Sequence, residues 1–95
     1  MVAAPHALPA QCQADFCVVP VGSNSPSISS FISKIEVVLQ QSTLEYEVHD
    51  SGTRIKGDWT EVMNIIGQAH TLIHDSGVQR VHTDVRIETR TDKLN

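Results

Sequence analysis

The sequence predicts an α+β domain in which two amphipathic helices cover one face of a four-stranded antiparallel sheet. Three observations carry this. Apolar residues recur at helical spacing in two stretches, from Ile28 to Leu39 and from Val62 to Ile73. They alternate with polar residues at Leu44–Val48 and again at Val81–Ile87. Asp50-Ser51-Gly52 stands between two strand-like runs as a tight turn.

The elements follow in order. Residues 1–10 hold two Pro and little periodicity, and read as a flexible arm ahead of a single domain at 11–95. Ala14 to Val21 is β-branched and aromatic and predicts a buried strand, with Pro20 at its frayed end. Ile28, Phe31, Ile32, Ile35, Val38 and Leu39 form the apolar stripe of a helix, for which Ser25 before Pro26, or Ser27, offers an N-cap. Leu44, Tyr46 and Val48 then alternate with Glu45, Glu47 and His49, and TRIKG returns, so residues 44–57 predict a hairpin. Asp58 with Glu61 resembles a capping box, and it opens a second stripe of Val62, Ile65, Ile66, Ala69, Leu72 and Ile73 that Gly77 ends. Val81, Thr83, Val85 and Ile87 alternate with Arg80, His82, Asp84, Arg86 and Glu88 in a last strand. Strand, helix, strand, strand, helix, strand is the split βαβ, ferredoxin-like order.

Composition narrows the function classes. The 95 residues are 40% hydrophobic and 19% charged, which fits one globular domain. Seven basic against eleven acidic residues leave a net charge of -4, which opposes binding to nucleic acid or anionic membranes. No apolar run reaches transmembrane length, and the N-terminus lacks the basic start and apolar run of a signal peptide, so a cytoplasmic protein is expected. Cys12 and Cys17 fall on opposite faces of one strand and predict two reduced thiols.

Catalytic and metal chemistry find little support. His70 and His74 are one helical turn apart, but HTLIH lacks the Glu of HExxH and no third ligand is identifiable, so no metal site is expected. There is no GxSxG, glycine-rich phosphate loop or CxxC, and no cofactor or catalytic residue is assigned. Cys17 near His82 or His49 is better read as a small buried hydrophobe than as a nucleophile, and Asp84 and Glu88 as ion-pairing groups than as paired acids.

The predicted topology brings the helix start at Ser27 and Ser29, the turn at Thr53 and the strand start at Arg80 toward one rim of the sheet. Free amides of a helix start and a guanidinium favour an acceptor group of a ligand there. For Ser27 and Thr53 taken alone, capping and turn chemistry is the preferred account. The sheet face away from the helices carries both charge signs, and is expected to be either solvated or a self-complementary surface of a homo-oligomer.

Four segments, VVPVGSNSPSISSFIS, HDSGTRIKGDWTEVM, the Gln-Ala-His of the second helix and GVQRVHTDVRIETRTDK, span residues 16–93. Together they resemble the YkoF-like thiamine-binding family of small ferredoxin-like proteins. The positions that match are Pro20, Gly22, Ser27, Ser29, Gly52, Thr53, Gly57, His70, Arg80, Thr83, Arg90 and Asp92. The resemblance implies a homodimer or homotetramer assembled through sheet surfaces that binds thiamine or its hydroxymethylpyrimidine part. It also implies a ligand-binding set of Ser27, Ser29, Thr53, His70, Arg80 and Thr83; on chemical grounds, Asp84 or Glu47 is expected to offset the cationic ring. Two departures stand out: Lys56 where relatives carry an acid, and a chain that stops shortly after Lys93 where relatives continue. The expected function is non-enzymatic carriage, buffering or sensing of the ligand. The alternatives are a structural or regulatory oligomeric module without a functional pocket, and an enzyme acting through His70 or Cys17.

Overall fold

The computed structural model describes residues 6–22 and 28–92, and for residues 28–30 the backbone alone. The elements are β1 (Gln11–Val21), α1 (Ile28–Gln40), β2 (Glu45–His49), β3 (Gly52–Asp58), α2 (Trp59–Asp75) and β4 (Arg80–Glu88). All strand pairs are antiparallel, in the order β2-β3-β1-β4. This is the ferredoxin-like arrangement the residue periodicities predict. Ser25 and Ser27, the expected caps of α1, lie outside the described residues.

The two-residue period of β1 decides which side is core. Cys12, Ala14, Phe16 and Val18 are buried beneath the helices, and Gln13, Asp15, Cys17 and Val19 point to the open face. Phe31, Ile35 and Leu39 of α1 and Val62, Ile65, Ala69 and Ile73 of α2 close over Phe16 and Ile55. Each large side chain buried this way contributes about 1.5–3 kcal/mol. Cys12 is fully buried and Cys17 partly exposed, and both are free thiols, as their opposite faces require.

Pro20 is tolerated inside β1 because pairing with β3 stops at Phe16 opposite Thr53, after which β1 has β4 as its neighbour. At the start of α2 the Asp58 carboxylate accepts from the Glu61 amide at 3.0 Å. The reciprocal half of a capping box does not form. The Glu61 carboxylate instead accepts from the amide and hydroxyl of Thr43, at 3.2 and 3.0 Å, tying the α1–β2 connection to the helix start. Gly77 ends α2 at a φ of 101°, with its amide donating to the His74 carbonyl at 2.9 Å. Trp59 packs against the core edge, and its amide donates to the Ala10 carbonyl at 3.0 Å.

The apolar side of β4 is only partly used. Val81 joins the core, whereas Val85 and Ile87 stay 41% and 40% exposed. β4 is an edge strand, and the core cluster does not extend under its second half.

Candidate functional site

An apolar cavity of about 160 Å³ lies between α1 and the tip of the β2–β3 hairpin. Phe16, Cys17 and Val18 of β1 form its floor, Phe31, Ile32 and Ile35 of α1 one wall, and residues 48–53 the other. Thr53 is the only buried polar residue among those described. Its side chain is on the helix side of β3, opposite Phe16, and its hydroxyl has no hydrogen-bond partner among the described residues. A hydroxyl placed in an apolar slot favours a flat ligand that can offer it a donor or acceptor.

His49 is among the residues that line this cavity. Ser51 donates its amide to His49 Nδ1 at 3.2 Å, so Nδ1 is the unprotonated nitrogen and Nε2 donates to Asp15 Oδ1 at 3.0 Å. The contact runs from β2 to β1, with Gly52 of β3 paired to His49 between them. A Cβ on Gly52 would press into the Phe16 carbonyl oxygen, and its φ of 154° suits glycine. Asp50 adds a carboxylate beside the cavity.

The expected binding residues fall into separate groups. Ser27, and the side chain of Ser29, lie outside what is described. Thr53 lines the cavity. His70 and Thr83 meet each other between α2 and β4, with His70 Nδ1 2.6 Å from Thr83 Oγ1. Arg80 pairs with Val21, five residues along β1 from the Phe16–Thr53 pair, which is about 16 Å at the usual strand rise. Arg80 and Thr53 therefore do not share one rim as expected, because β1 runs well past the hairpin tip. Glu47 and Asp84, expected to offset a cationic ring, lie on the open face against Arg54 at 3.6 Å and His82 at 2.9 Å. Asp50 is the carboxylate that lines the cavity. Periodicity alone did not single out His49, Ser51 or Asp50, which look like ordinary strand-end and turn residues.

No cluster of three or more metal-ligating side chains occurs among the described residues. His74 Nδ1 donates to the Val78 carbonyl at 2.9 Å, so His74 closes the end of α2, and its ring meets His70 edge-on at 5.3 Å.

Comparison with known proteins places this architecture. The chain is 48% identical over 79 residues to the UPF0045 protein ECM15 of Eremothecium gossypii, covering 83% of this chain and 75% of that one. A hypothetical protein of Methanocaldococcus jannascii superposes with a TM-score of 0.81 at 28% identity, covering 92% of this chain and 88% of the other. A Thermotoga maritima protein, provisionally assigned to thiamine biosynthesis or salvage, shares the fold at a TM-score of 0.72 and 16% identity, over 90% and 89% of the two chains. The family model described as "Thiamine-binding protein" matches residues 14–95, nearly the whole domain, and the chain belongs to that thiamine-binding protein family.

Proposed function

We propose that the protein is a non-enzymatic, homo-oligomeric, cytoplasmic binder of thiamine or its hydroxymethylpyrimidine moiety, serving carriage, buffering or sensing. The observation that carries this reading is the unpaired Thr53 hydroxyl inside the apolar cavity under the hairpin tip. Family membership and the thiamine assignment of the Thermotoga neighbour support it. At about 160 Å³ the cavity is well under the roughly 300 Å³ at which sites for larger ligands begin. It suits one aminopyrimidine ring, with any cationic thiazolium left at the mouth beside Asp50. In this reading Ser27, Ser29 and Thr53 serve the ring, while His70, Thr83 and Arg80, expected to join them, lie apart from the cavity. No helix among the described residues is long and apolar enough to cross a membrane.

Thermal shift against hydroxymethylpyrimidine, thiamine and thiamine diphosphate tests this. A ligand at a hundred times its dissociation constant adds about 2.7 kcal/mol of stability. Stabilisation by the pyrimidine or thiamine is the expected result, and none with any of the three would refute it. The alternative, a structural or regulatory oligomeric module, is favoured by the long exposed strand β4. It would be identified by assembly without any ligand response.

A further inference from the structure

We propose that His70 and His74, one turn apart on α2, hold a divalent transition-metal ion of the zinc or copper type between their Nε2 atoms. Neither residue lines the apolar cavity, so this site does not rest on the ligand reading above.

Histidines four positions apart share one face of a helix. Spacing says nothing of how the two rings are turned, and without a third ligand HTLIH carries little by itself. The structure adds the missing orientation. His74 Nδ1 donates to the Val78 carbonyl at 2.9 Å. A carbonyl can only accept, so the proton of the neutral ring is on Nδ1 and Nε2 keeps its lone pair. His70 Nδ1 lies 2.6 Å from Thr83 Oγ1 on β4. Donating to that hydroxyl leaves a second Nε2 lone pair. Neither Nε2 has a hydrogen-bond or ion-pair partner among the described residues.

A histidine that binds metal through one ring nitrogen nearly always uses the other as a hydrogen-bond donor, which fixes the tautomer and the ring orientation. Both rings have that support, and each receives it from outside α2: His74 from the connection to β4, and His70 from β4 itself. The ring centres are 5.3 Å apart. Two imidazoles on one tetrahedral ion, with metal–nitrogen distances of about 2.0–2.1 Å, have centres about 5 Å apart. His70 is half-buried and His74 exposed, so an ion reaches the pair from solvent and keeps water at its remaining positions.

The other partnered histidines are less suited. His49 and His82 have Nε2 engaged by Asp15 and Asp84, at 3.0 and 2.9 Å. Paired imidazoles favour zinc, copper or nickel over magnesium or calcium, which take oxygen ligands.

Calorimetric titration of Zn²⁺ into the intact chain in a Cys17→Ser background, followed by nitrogen-15 NMR of the imidazoles, tests the site. One ion per chain is expected, with the Nε2 signals of His70 and His74 shifting together and those of His49 and His82 unmoved. Thr83→Val leaves both ligands in place and removes the acceptor behind His70, so affinity should fall about 10- to 100-fold in a protein that urea unfolding shows to be folded. His74→Gln removes a ligand from an exposed position and should abolish saturable binding. No binding to the parent chain, shifts at His49 or His82 instead, or equal affinity in His74→Gln would overturn the site. Unchanged affinity in Thr83→Val would overturn the role given to the His70–Thr83 contact.

Discussion

His49 reaches across Gly52 to Asp15, its Nε2 3.0 Å from the carboxylate, so a side chain on β2 is fixed by one on β1 with β3 between them. Gly52, the β3 residue paired with His49, packs so close to β1 that a Cβ there would press into the Phe16 carbonyl oxygen.

Gly52→Ala is therefore expected to be costly. The new methyl meets the Phe16 carbonyl oxygen at a backbone conformation suited to glycine. Urea denaturation should show a loss of about 2 kcal/mol or more. A variant as stable as wild type would contradict the tight crossing.

Thr53→Val keeps the shape of the buried side chain and removes the hydroxyl that faces the cavity. Pyrimidine affinity should fall about tenfold, with stability changed by less than about 1 kcal/mol. Thr83→Val should instead cost about 1 kcal/mol of stability, through loss of the 2.6 Å contact with His70. Calorimetric titration and urea unfolding of both variants check this, and equal affinity of the Thr53 variant and wild type would count against the hydroxyl.

Burial, and after it the negative charge of Asp58, pushes the Cys12 thiol above its usual value. A thiol whose folded pKa is raised contributes stability that is fully present below the unfolded value of about 8.5 and is lost as pH rises through the folded value. Unfolding free energy should therefore decline above about pH 8.5, and Cys12→Ala should flatten that alkaline decline. Parallel curves for the two proteins from pH 7 to 10 would contradict it.

The Glu61 carboxylate holds both donors of Thr43, across eighteen residues of sequence. Glu61→Ala leaves these donors to water and should cost about 1 kcal/mol, as should Asp58→Ala through loss of the α2 cap. Chemical denaturation of the single variants measures both.

The Thr43–Glu61 contact marks where sequence reading stopped. Periods of two and 3.6 identified all six elements, since burying an apolar stripe is a local demand on spacing, but not that Val85 and Ile87 on the apolar side of β4 stay exposed. Asp58 was legible as a cap for the same reason. Where the Glu61 side chain turned was not, because Thr43 reached it through the packing of a distant connection. The shared rim of Arg80 and Thr53 failed on length: topology gives the end of the sheet, but only the register shows β1 running five residues past Phe16. The cavity itself depends on how incompletely Phe31, Ile32 and Ile35 fill the space under the hairpin, which no spacing rule reports. The positions drawn from the family resemblance reached further: they included both His70 and Thr83, which the structure brings into contact.

The most direct measurement is calorimetric titration of hydroxymethylpyrimidine into wild type and into Ile32→Trp. Ile32 is 39% exposed on the cavity wall, so the larger ring can fill the slot without displacing the core. Saturable binding to wild type that disappears in the folded variant is the predicted result. Equal binding to both proteins, or no heat from either, would contradict a ligand seated beneath the hairpin tip.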